Sequence, residues 1–74
     1  MKAAEELINE IFEVEIQEDQ ISKKIEDVVE WNSFMIMNFM VEMSERYQAE
    51  ISVEDISGIE TMRDLLQLVI ERRS

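Results

Sequence analysis

The chain has no cysteine, no histidine and no proline, and its one glycine is Gly58. Without Cys there is neither a disulfide nor a thiolate metal site, and without His there is no imidazole for proton transfer or for a typical zinc site. Ser-His and Cys-His nucleophile chemistry is thereby excluded. Positive charge is also scarce. Seven Lys and Arg face 18 Asp and Glu, and the net charge of -11 repels nucleic-acid backbones and anionic membrane surfaces, so a charged partner should be basic. No stretch approaches the roughly 20 apolar residues that span a bilayer, and the early Glu5 and Glu6 interrupt anything resembling a signal peptide. The expectation is a soluble, cytoplasmic, monomeric domain that binds neither nucleic acid nor membrane.

What the chain does contain is periodic. Its 74 residues, 46% of them hydrophobic, suffice for one domain with a single core, near the lower size limit for a chain without covalent staples. In residues 3–13 the apolar Ala4, Leu7, Ile8 and Ile11 recur at helical spacing, with Glu6, Asn9, Glu10 and Glu13 opposite. Residues 14–32 lose that period. They read as a long connection pinned by Val14, Ile16, Ile21, Ile25, Val28 and Val29, and at this length either a short helical turn or a functional reason is expected within it.

A second helix should start at Asn32 or Ser33, both good N-caps, and run to about Gln48. At about 100° per residue, Ile36, Phe39, Met40, Met43 and Tyr47 share one arc, the expected core face. Phe34, Met37 and Val41 share a second arc, bounded by Ser33 and Ser44 on one side and by Asn38, Glu42 and Glu45 on the other. A helix apolar on two sides is either sandwiched in the fold or offers one side to a partner. Ser52 with Asp55, and Thr61 with Asp64, look like capping-box variants opening a very short third helix, closed by Gly58, and a last helix to about Arg72. On that last helix Met62, Leu65, Leu66, Val69 and Ile70 form the apolar face. The expected fold class is all-α, a small four-helix bundle with a long first loop and a very short third helix.

Chemistry of its own is hard to find. The carboxylates are spread along solvated faces rather than gathered in a dry pocket, and neither the Asp19 nor the Asp55 region has the ligand spacing of a calcium loop. Ser33 is the sharper candidate. Its plain role is helix capping, but it opens the most apolar helix after a long connection, and a phosphoester there would meet free N–H groups and the positive end of the dipole.

The order of a first helix, a long loop, Trp31-Asn32-Ser33-Phe34, the segment from Glu42 to Tyr47, then Ile51, Ser52-Val53-Glu54-Asp55-Ile56 and Thr61-Met62-Arg63-Asp64-Leu65-Leu66 resembles acyl carrier proteins and their peptidyl carrier relatives. The resemblance covers essentially the whole chain. It implies a non-enzymatic carrier whose Ser33 receives 4'-phosphopantetheine from coenzyme A and holds acyl or aminoacyl groups as thioesters on that arm. It also implies the partners: a phosphopantetheinyl transferase, an acyl- or aminoacyl-activating ligase and downstream transferases, in fatty-acid, polyketide or nonribosomal-peptide synthesis. Two residues depart from the family's Asp-Ser-Leu step. Asn32 stands for the Asp that transferases commonly recognise, and Phe34 is bulkier than the usual Leu or Met. The second helix also lacks the family's acidic run, which points to a specialised pathway. Asn32, Phe34, Met37, Val41, Glu42 and Glu45 are the expected partner-facing residues. The competing expectation is an unmodified acidic interaction module that binds a partner through its Met-rich second helix, with Ser33 only a cap; in either case Met37 and Val41 form a docking face unless they pack beneath the long connection.

Overall fold

A computed structural model describes residues 2–73, which are mostly helical, with no strand among them. The helices are α1 (Lys2–Phe12), α2 (Ile25–Val28), α3 (Ser33–Tyr47), α4 (Val53–Ser57) and α5 (Met62–Arg73), with one 3-10 turn at Glu18–Gln20. There are therefore five helices where the periodicity predicts four. The extra one, α2, and the 3-10 turn both lie in the long connection, too short to register as a period but long enough to place its apolar anchors.

That connection is tied down at both ends. The Ile16 amide donates to Asn9 Oδ1 at 2.9 Å, while Arg63 N–H donates to Ile21 O (2.9 Å), Met62 N–H to Lys23 O (3.0 Å) and Ile25 N–H to Glu60 O (3.0 Å). Lys24 and Thr61 thereby form an isolated antiparallel bridge. These bonds satisfy backbone groups that the connection would otherwise leave unpaired. Ile16, Ile25 and Val29 are buried beneath them.

The core is built from α1, α3 and α5. Ala4, Leu7, Ile8, Ile11 and Phe12 from α1 meet Phe39 and Met43 from α3 and Met62, Leu65, Leu66, Leu68 and Val69 from α5. Phe12 stacks obliquely between Trp31 (ring centroids 6.0 Å apart) and Phe39 (6.3 Å), joining the end of the connection to the bundle centre. Two expectations need correction. Ile70 is 38% exposed, whereas Leu68 is buried and lines a small hollow with Ile59, because the segment before α5 covers that side of the helix. On α3 the buried centre lies at Phe39 and Met43, with Met35 packed at its edge. Ile36 leaves the core for a groove described below.

Gly58 caps α4, but in right-handed conformation (φ -86). The left-handed turns that often recruit glycine fall instead on Glu13 (φ 55) and Gln48 (φ 52), which close α1 and α3. A Cβ on Gly58 would come no nearer than 3.6 Å to Glu54 O, ordinary contact. Gly58→Ala is therefore expected to stabilise the chain by about 0.4–1 kcal/mol through reduced freedom of the unfolded state, visible as a raised urea midpoint with an unchanged slope.

Candidate functional site

Ser33 occupies the first turn of α3, and its neighbour does the capping. Asn32 is extended (φ -131, ψ 175), and its Oδ1 accepts the Met35 amide at 2.9 Å. The Ser33 hydroxyl is consequently released: exposed, with no hydrogen-bond partner among the described residues. No acidic side chain lies in the first turn of α3, so the partial positive charge of this 15-residue helix is not already neutralised there. The cap therefore comes from Asn32, one of the two predicted alternatives, which leaves Ser33 available for other chemistry.

From Ser33 an open apolar groove of about 640 Å³ runs between α3 and α4. Ile36, Met37, Met40 and Val41 form one wall, Val53 and Ile56 the other, and Ala49 and Ile51 are buried along it. This explains Ile36 and Met40: they sit on the flank of their arc nearest α4 and line the hollow, Met40 also packing at the edge of the core that Phe39 and Met43 occupy. Periodicity alone does not separate a core face from a groove face, since both demand apolar side chains.

The second wall is lightly held. No residue of α4 is fully buried. Its start is fixed by a reciprocal capping box, the Asp55 amide donating to Ser52 Oγ (3.1 Å) and the Ser52 amide to Asp55 Oδ2 (2.9 Å). Arg72 then reaches Asp55 Oδ1 at 2.6 Å from the far end of α5. The hydrogen bond from the Ser52 amide, with the Ser52 hydroxyl and Arg72, holds the Asp55 carboxyl below its ordinary value. Asp64 is lowered likewise, by the Glu60 and Thr61 amides at the start of α5; both capping pairs expected from the sequence thus form.

Of the predicted partner-facing residues, Phe34, Met37 and Val41 are exposed by 76%, 65% and 46%. Met37 and Val41 do not pack beneath the long connection. Glu42 is half-buried and turned to Arg46, whose Nε donates to it at 2.8 Å; Arg46 also reaches Glu10 Oε1 at 2.8 Å, tying α3 to α1. Glu45 stays exposed. Among the described residues no cluster of three or more His, Cys, Asp or Glu could hold a metal ion, and no helix is long and apolar enough to cross a membrane.

Arg46 lowers the Glu10 pKa, chiefly through the hydrogen bond between them. A carboxylate with a depressed folded pKa stabilises above its ordinary titration range and ceases to do so as pH falls through the folded value. Arg46→Met should thus lower the urea midpoint at neutral pH, by the small amount typical of an exposed pair. The difference from the parent should shrink below about pH 4 and vanish in stronger acid; paired denaturation curves across that range check it.

Compared with protein-family models, curated proteins and solved structures, the chain gives no match.

Proposed function

We propose that this chain is a carrier domain, a four-helix bundle of acyl-carrier type elaborated by the short α2, with 4'-phosphopantetheine attached to Ser33. One observation carries the reading: a serine hydroxyl, freed from capping by Asn32, stands at a helix N-terminus and at the mouth of an apolar groove. The N-terminus of α3 favours the negative charge of a phosphodiester, and the Ser33 hydroxyl is accessible to a transferase. The arm, when attached, supplies the thiol that bears the cargo, which fits a chain with no Cys or His of its own. Because the groove beside Ser33 is lined mostly by aliphatic and thioether side chains, it favours an acyl or aminoacyl cargo with an apolar chain.

In this reading the chain performs no catalysis. It works as a cytoplasmic monomer between a phosphopantetheinyl transferase, an acyl- or aminoacyl-activating ligase and downstream transferases of a specialised pathway. Asn32, Phe34, Met37, Val41, Glu42 and Glu45 form the surface those enzymes read. Incubation with coenzyme A and a promiscuous transferase should add about 340 daltons, the mass of the arm on a hydroxyl, to Ser33 by mass spectrometry. Absence of that gain with several transferases would overturn the proposal.

A second reading has its own support. The exposure of Phe34, Met37 and Val41 also fits an unmodified interaction module, which would bind its partner through α3 and never gain the arm.

A further inference from the structure

The end of α1, the short α2 and the entry to α3 surround a second open hollow, of about 620 Å³, which shares no lining residue with the groove beside Ser33. Its floor is apolar. The rings of Phe12 and Trp31, with centroids 6.0 Å apart, line it together with Val29 and Met35, and Phe12 and Val29 are buried. The same hollow is lined by four carboxylates, on Glu13, Glu26, Asp27 and Glu30, and by no lysine or arginine. All four are exposed, and none has an ion-pair partner among the described residues. Nor does any cation of the described chain stack on Trp31, since the cation–π contact there joins Arg73 to Tyr47 instead.

We propose that this hollow binds a linear aliphatic polyamine, its methylene stem against Phe12 and Trp31 and its ammonium groups among the four carboxylates. Binding there is independent of attachment at Ser33. The spread of the charge decides the ligand class. Among the described residues no group of three or more carboxylates could hold a metal ion, so a compact divalent cation finds no set of converging oxygens to replace its water. A polyamine carries its charge along a chain, as the hollow does around its rim, and each ammonium can meet a different carboxylate. Its methylene runs require an apolar surface, which the floor supplies, and an ammonium over the face of Trp31 gains cation–π attraction as well. A compact organic monocation would use the floor and leave most of the rim charge unmet. Anions are repelled by the same four groups.

The test titrates the isotopically labelled full chain with spermidine, a linear triamine, in about 0.15 M salt, where attraction by distant charges is largely screened. Trp31 is the sole tryptophan, so its emission and the single indole N–H resonance both report on the hollow. A saturable change in both is expected, with magnesium chloride at matched ionic strength binding about 10-fold more weakly or less. Glu13→Gln combined with Glu30→Gln, two exposed positions outside the helices, should weaken spermidine about 5-fold or more. Glu50→Gln combined with Glu54→Gln removes the same charge beside the other groove and should leave its affinity within about 2-fold. Equal weakening by the two pairs would reveal diffuse attraction to a net charge of -11 and overturn the proposal. Magnesium binding as tightly as spermidine, or no saturable response at Trp31, would overturn it as well. Trilysine binding more tightly than spermidine would assign the hollow to a basic segment of another protein, again against the proposal. None of these readouts involves Ser33 or coenzyme A, so failure here is distinguishable from failure of the carrier reading.

Discussion

Ser33→Ala is expected to fold as the parent does and to take up no phosphopantetheine at all. The reason for both halves lies in the division of labour at the start of α3. Asn32 carries the cap, and the Ser33 hydroxyl bonds to nothing among the described residues, so its removal costs no internal hydrogen bond. Alanine is moreover the best helix former. Stability should stay within about 0.5 kcal/mol of the parent. Loading, in contrast, requires the oxygen itself, and no neighbouring group can replace it: Ser44 lies some three turns along α3, and no Cys is present. Asn32→Ala is the informative partner, because it should lose about 1 kcal/mol of stability with the cap yet keep the hydroxyl, so that it takes up the arm more slowly but to the same final mass. If Ser33→Ala were instead the destabilised variant and still gained the mass of the arm, the assignment of the two roles would be reversed and the carrier proposal would fail.

Phe39→Ala should produce the largest loss of stability. Phe39 is fully buried at the centre of α3 and faces Phe12, which in turn contacts Trp31; one ring therefore links α3, α1 and the end of the connection. Truncating a buried Phe costs about 3–5 kcal/mol through lost burial and the cavity left behind. A domain of 74 residues has roughly 4–11 kcal/mol in total, so the variant should lose a large fraction of its stability. Each kcal/mol lowers Tm by roughly 4–8 °C at this size, and a fall of at least about 12 °C by far-UV circular dichroism is the expected minimum. Phe34→Ala is the matched control. It removes the same ring from the same helix at a position 76% exposed and should change stability by no more than about 0.5 kcal/mol. Equal losses in the two variants would contradict the placement of α3.

Much of the architecture is legible in the sequence, for reasons that differ by element. The helical character, the capping pairs Ser52-Asp55 and Thr61-Asp64, and the exposed second arc of α3 follow from local rules of spacing and hydrogen bonding, which act within a turn or two. The short α2 does not, because four residues cannot display a period; its position depends on α5, through the Glu60 and Lys23 carbonyls. The displaced burial of Leu68 and Ile70 has a similar origin, since which flank of α5 is covered is set by a segment outside it. Phe12 could have been found, standing four residues after Ile8 on the same face, but the adjoining glutamate obscures where the helix ends. At the site, the serine is legible and the groove is not. Met40 and Ile36 satisfy a core pattern equally well, and only the placement of α4 makes them the wall of a groove.

The ties between the connection and α5 also bear on how the chain reaches its fold. Residues 21–25 meet residues 60–63, and α1 packs against α5, so these particular contacts join segments far apart along the chain. Closing such loops costs entropy before any burial compensates it, and a helical protein of this kind forfeits part of the speed that local contacts confer. Neither half of the chain contains a complete core, since α1 and α5 supply facing parts of it.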